Sequence, residues 1–162
     1  MSPFDPEALL KALVDGGVDF VLIGGLAVAS HGLVRATQDI DIYHPRDAQN
    51  LELLATALRG VRARLRGAED VPLKLDVKLL QSAQNFTFST DLGDLDCLGY
   101  VDGAAEYEVV KSRAIQASLG PVSIKVASVH DLLSMKERAA RPKDILDAAA
   151  LRRVQTGMTG EC

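Results

Sequence analysis

Leu9, Leu10, Leu13 and Val14 recur at helical spacing behind Asp5-Pro6-Glu7 and ahead of Gly16-Gly17. A capping aspartate, a first-turn proline and a closing glycine pair make this stretch a helix packed by its leucines. Val18 to Ile23 is a short β-rich apolar run ending at Gly24-Gly25, and Leu26-Ala27-Val28-Ala29 suits the first turns of a helix. From Thr37 to Tyr43 the repeat shortens, with Asp39 and Asp41 alternating with Ile40 and Ile42, so a half-buried strand is expected there. Leu51, Leu54 and Leu58 return to helical spacing and place a helix over about Asp47 to Leu58. Val61 to Ala68 is basic and without clear period, and the imperfect alternation of VPLKLDVKLL predicts a strand over Leu73 to Leu79.

Phe86-Thr87-Phe88 and Leu95-Asp96-Cys97-Leu98 read as a hairpin turning through Asp91 to Asp94. A helix is expected over Tyr107 to Ala117 and a strand over Val122 to Val126. Ser128 with Asp131 resembles a capping box opening the next helix, and a last helix runs from about Pro142 to Val154. The order mixes α and β, so the expected fold is α/β or α+β, a small mixed sheet with helices packed on it. At 162 residues, with 48% hydrophobic and 25% charged, the chain reads as a single domain over 1–162 whose C-terminal part, from about Ser128, is helical. That length needs no staple, and Cys97 and Cys162 offer neither a disulfide framework nor a zinc knuckle. A formal charge of −4 carries no broad basic footprint for passive DNA binding. The longest apolar stretch, Phe20 to Ala29, is too short to cross a membrane, and Met1-Ser2-Pro3-Phe4-Asp5 has no basic leader. The expectation is a cytoplasmic protein with no membrane partner.

The chemistry concentrates in Gly24 to Asp41. Residues i and i+2 of a strand share a face, so Asp39 and Asp41 converge while Ile40 and Ile42 face the other way. Paired carboxylates repel unless a cation sits between them, and hard oxygen ligands suit Mg2+ or Mn2+. The plain alternative is an edge strand with one wet face. Upstream, a glycine turn opening a helix lets backbone approach a ligand and presents N–H groups that favour phosphate.

The segment GGLAVASHGLVRATQDIDI resembles the signature of the nucleotidyltransferase superfamily, the DNA polymerase β-like fold, and within it the small bacterial proteins related to AbiEii-type toxins. The resemblance implies that Gly24 and Gly25 hold a nucleoside triphosphate, and that Asp39 and Asp41 are the first two of three carboxylates binding two divalent metals. The third is expected on a later strand between apolar residues, where Asp96 fits best, with Asp94 in reserve and Asp76 more distant. Leu26 stands where a serine often sits, so no hydroxyl is available there. Arg35 reads as a phosphate contact and His31 as a helix-end or packing residue.

The resemblance extends through SVHDLLSMKERAARPKDILDAAAL. Val129, Leu132, Leu133 and Lys136 fall on one helical stripe, so an amine on the inward face needs an anion. It either snorkels to Asp144 or Asp147 as a structural pair or, as the resemblance implies, contacts the triphosphate with Asp144 or Asp147 orienting it. Arg141 and Lys143 read as solvated, with contact to nucleic acid as the lesser alternative. The implied reaction is in-line attack by an acceptor hydroxyl on the α-phosphate, releasing pyrophosphate, with Asp39, Asp41 and Asp96 as metal ligands and Gly24, Gly25, Arg35, Lys136 and Asp147 around the triphosphate. The implied acceptor is RNA, such as tRNA, or a protein, in a toxin–antitoxin setting with a cognate partner or a second copy. A small-molecule acceptor, as in antibiotic-modifying enzymes, is the first rival. A non-catalytic antitoxin module and an Asp-x-Asp sugar transferase rank behind it. The Arg62-Ala63-Arg64-Leu65-Arg66 cluster reads as a local basic patch.

Overall fold

A computed structural model of the protein describes residues 3–157. Asp5 caps the first helix, α1 (Pro6–Asp15), its carboxylate accepting the Ala8 N–H at 3.0 Å, and Leu9, Leu10 and Leu13 are its buried face. β1 (Val21–Ile23) runs directly into α2 (Gly24–Ser30), and β2 (Asp39–Tyr43) follows after a loop. Asp47 caps α3 (Ala48–Gly60), which buries Leu51, Leu54 and Leu58 and leads into the short β3 (Arg64–Leu65). Next come α4 (Val77–Gln81), β4 (Asn85–Thr90), β5 (Gly93–Leu98), α5 (Tyr107–Arg113), β6 (Ile115–Leu119) and β7 (Val122–Val126). α6 (Val129–Ala139), capped by Ser128, and α7 (Pro142–Gln155) end the described chain.

The strands form one seven-stranded sheet in the order β3-β4-β5-β2-β1-β7-β6. β1 is parallel to β7 and β2 is parallel to β5, while the remaining pairs are antiparallel. Register makes the sheet two-faced. Ile40, Leu95 and Phe88 are cross-strand partners in one row, as are Ile42, Cys97 and Phe86 in the next. Ile40, Ile42, Leu95, Phe88 and Cys97 are all fully buried. Between these rows, Asp41, Asp96 and Thr87 form a row of their own whose side chains alternate to the opposite face. α1 leans on β7 and α3, while α2 packs on β2 and α6, and α6 on α7. The polar face of β2 and β5 is thereby left open beside α2 and the α6–α7 pair.

Three expectations are corrected. Leu73 to Leu79 is not a strand: Asp76 accepts the Leu79 N–H at 2.9 Å and caps α4, so Asp76 is a helix cap rather than a third carboxylate. The helix expected to reach Ala117 stops at Arg113, because Ala114 is extended and Ile115–Leu119 pairs with Val122–Val126 across the turn at Gly120, where φ is +59°. The hairpin turn is tighter than expected, since Thr90 pairs with Gly93 and puts Asp94 inside β5. Cys162 lies outside the described residues. No described helix is long and apolar enough to cross a membrane.

Candidate active site

β1 and β2 pair antiparallel with Ile23 opposite Asp41, so the chain leaves β1 beside that carboxylate. Gly24 then takes φ +76°, and a Cβ there would overlap the Asp41 carboxylate. Glycine is demanded twice, by backbone conformation and by contact. Gly25 is buried against Thr37 and the Arg35 guanidinium. The Gly24-Gly25 turn and the aspartate pair are thus one packed unit.

Parallel pairing of β2 with β5 sets Asp41 opposite Asp96 and Asp39 opposite Asp94. Asp39, Asp41 and Asp96 each offer a carboxylate oxygen, and these lie within 4.8 Å of one another. Asp94 is on the same strand face but outside this group, so of the third-carboxylate alternatives only Asp96 joins the pair. Burial pushes the Asp41 carboxyl up to about 8, helped by its hydrogen bond with Asp96 and the charges of Asp39 and Asp96, with Lys136 opposing. A carboxyl that holds its proton so far above its ordinary value is one whose negative neighbours call for a cation. A set of hard oxygen donors in this arrangement fits Mg2+ or Mn2+. Thr37 steadies the edge of the group, its hydroxyl 3.2 Å from Asp39 Oδ1.

Facing the carboxylates is a chain of ion pairs. Lys136 of α6 is buried, with Nζ 3.2 Å from Asp144 Oδ1 and 3.1 Å from Asp147 Oδ2. Arg35 Nε donates to both Asp147 oxygens, at 3.0 and 3.2 Å. Asp144, fully buried, also accepts from Arg141 Nε at 2.6 Å and from the Arg141 N–H at 3.1 Å. Burial alone would raise Asp144, but the hydrogen bonds from Arg141 and Lys136 outweigh it and hold the carboxyl below its ordinary range. Both aspartates left open by the sequence therefore contact Lys136. Arg141 is an ion-pair partner here rather than a purely solvated side chain.

These groups line a cleft of about 690 Å3. Asp39, Asp41 and Asp96 lie in its wall with Gly24, Gly25, Arg35, Lys136 and Lys143, while Leu98, Tyr100, Val101, Leu132 and Met135 supply an apolar end. The rim there is braced by Arg138 Nε on Asp102 Oδ2 at 3.0 Å and by the Tyr100 N–H on Asn85 Oδ1 at 3.0 Å. His31 ends α2 and hydrogen-bonds the Ala127 carbonyl at 2.9 Å, the packing role expected of it.

Sequence reasoning missed two contributors. Tyr100 sits outside any periodic stretch and carried no signal. Arg66 belongs to the stretch expected to form a local basic patch, yet its Nη2 donates to Asp96 Oδ1 at 2.7 Å. Arg62 likewise lies 3.4 Å from Asp91, so the cluster is partly spent on acidic partners. β3 spans only Arg64–Leu65, with Arg62 in the turn before it at φ +57°, so no period in the sequence announces the strand.

No family model matches the chain, and neither does any curated protein. Solved structures do. The chain aligns with ANT(2'')-Ia in complex with adenylyl-2''-tobramycin at a TM-score of 0.59 and 15% identity, covering 93% of this chain and 86% of that one. The solution structure of the antibiotic-resistance factor ANT(2'')-Ia gives 0.58 at 14% identity, covering 93% and 84%. Lincomycin-bound LnuA, a lincosamide antibiotic adenylyltransferase, gives 0.60 at 16% identity, covering 90% and 92%. At such identities the likeness is one of fold, and the fold is that of the nucleotidyltransferases.

Proposed function

We propose that this chain transfers a nucleoside monophosphate from a nucleoside triphosphate to an acceptor hydroxyl, releasing pyrophosphate. The observation that carries the reading is the convergence of Asp39, Asp41 and Asp96, whose carboxylate oxygens lie within 4.8 Å of one another, beside the Gly24 turn. Divalent cations, when bound, lower the pKa of the attacking hydroxyl and offset charge on the leaving pyrophosphate. Asp39 and Asp41 would hold them from β2, and Asp96 would join them on the acceptor side and take up the hydroxyl proton. Gly24 and Gly25 bring backbone against the triphosphate. Arg35, Lys136 and Lys143 supply positive charge along the same wall, with Asp147 fixing both Arg35 and Lys136. Lys136 is held by two aspartates before any ligand arrives, so its amine is oriented without reorganisation at the moment of transfer.

For the acceptor, a small hydroxylated molecule fits best. The cleft volume lies in the range of roughly 300 to 1,000 Å3 typical of small-molecule sites, and it has an apolar end beside Tyr100. The antibiotic substrates named for the similar structures belong to that class. A second reading, an RNA or protein acceptor in an AbiEii-like toxin–antitoxin pair, draws support from the Lys136, Asp144 and Asp147 cluster and from exposed Arg141 and Lys143 at the cleft. Incubating the protein with each α-labelled nucleoside triphosphate and Mg2+, against pools of small hydroxyl compounds, total RNA and cell protein, separates these outcomes. Label on small compounds supports the first reading, and label on RNA or protein replaces it with the second. No label with any acceptor and any nucleotide removes the transfer reading.

A further inference from the structure

We infer that Arg66 is the positioning residue of the third carboxylate: its guanidinium aims Asp96 at the Asp39–Asp41 pair and keeps Asp94 apart from it. The inference rests on the metal-dependent reading above. Asp94 and Asp96 both lie on the polar face of β5, opposite Asp39 and Asp41 respectively, yet only Asp96 joins the 4.8 Å group. The two aspartates are distinguished by what Arg66 does to each. Nη2 donates to Asp96 Oδ1 at 2.7 Å and to the Phe88 carbonyl at 2.9 Å. Nε lies 3.4 Å from Asp94 Oδ2, an ion pair without a hydrogen bond.

The backbone puts Arg66 there for a traceable reason. Arg62, at φ +57°, turns the chain out of α3. Leu65 then pairs with Phe88, and the Arg66 N–H donates to the Thr87 carbonyl at 3.1 Å. Thr87 is the partner of Asp96, and Asp96 the partner of Asp41. Arg66 thus stands in the same cross-strand row as Asp41 and Asp96, and its side chain reaches over Thr87 to Asp96. The anchor on the Phe88 carbonyl makes the guanidinium a fixed support rather than a swinging surface group. Because a carboxylate accepts on both oxygens, holding Asp96 by Oδ1 leaves Oδ2 for a cation. A lysine carries the charge but not the planar fork that serves the carbonyl and the carboxylate together.

Charge and positioning predict opposite signs. A guanidinium beside a cation site repels the cation, so on charge alone Arg66→Ala would tighten metal binding. On positioning it weakens binding, as loss of a residue that orients a metal ligand does by about 10- to 100-fold. The test is a Mn2+ titration, followed by electron paramagnetic resonance, of wild type, Arg66→Ala and Arg66→Lys, each shown folded by circular dichroism and thermal unfolding. We expect at least tenfold weaker Mn2+ binding in both variants. Affinity equal to or tighter than wild type in Arg66→Ala overturns the inference, and so does full affinity in Arg66→Lys, which would reduce the residue to its charge. A wild-type protein that binds no Mn2+ removes the metal reading itself, an outcome distinct from unchanged binding in the variants.

Discussion

Asp41 is the residue on which the site turns. Its carboxyl titrates near 8 in the folded protein against an ordinary 3.8. Between those values the unfolded chain binds fewer protons than the native one, so Asp41 makes stability fall as pH rises. Its contribution is fully present below about pH 4 and is lost as pH passes through about 8. Asp41→Asn removes the ionisable group, and we expect it to match wild type near pH 4 and to become progressively more stable than wild type as pH rises to 8 in metal-free denaturant titrations. A variant less stable than wild type at pH 8 would make Asp41 a structural residue. Cation binding must also displace the Asp41 proton, so Mn2+ affinity should rise by about tenfold per pH unit below about pH 8. Affinity independent of pH between 5 and 8 would contradict that. Lys136→Ala should cost less than the about 3–5 kcal/mol of breaking a lone buried pair, because Asp147 keeps Arg35 and Asp144 keeps Arg141. Transfer by that variant should nevertheless fall by about 100-fold or more, and near-normal transfer would return Lys136 to a purely structural pair.

Elements explain which parts of this were legible beforehand. α1, α3 and α6 announce themselves because each has a capping aspartate or serine and a one-sided apolar stripe. β2 is legible because one face is buried and the other polar, which forces Asp39 and Asp41 to alternate with Ile40 and Ile42. β6 is not, because it is an edge strand with no buried position and nothing imposes a period on it. α4 misleads in the opposite sense: Leu73, Leu75, Val77 and Leu79 alternate as in a strand, and the decisive group is the single Asp76 cap. Asp76→Ala should therefore cost about 1 kcal/mol of stability, read by denaturant unfolding, and leave Mn2+ binding unchanged. A loss of Mn2+ binding would restore Asp76 as a ligand. Asp39 and Asp41 were readable as a pair from local spacing, whereas Asp96 came from the family resemblance, which expects a third carboxylate on a later strand between apolar residues. Arg66 was not readable, since its role depends on β3 lying two strands away from β5 in register.

The molecule as a whole brings a two-faced sheet and a helical pair together at one cleft. The formal charge of −4 hides a local division, with three clustered carboxylates on the sheet and Arg35, Lys136 and Lys143 lining the same cleft, the first two already paired with Asp147 and Asp144. That division suits a substrate that is anionic yet needs cations, as a nucleoside triphosphate does. Asp39, Asp41 and Asp96 form part of the acidic excess, and bound divalent ions would make the working cleft far less negative than the bare sequence. The most direct test uses one nucleotide labelled at the α-phosphate and again at the γ-phosphate, with Mg2+ and the acceptor pool that takes label. Wild type should pass the α label to the acceptor and release the γ label as pyrophosphate, while a folded Asp39→Asn/Asp41→Asn double variant should do neither. Transfer that persists in the double variant, or γ label appearing on the acceptor, would contradict the account.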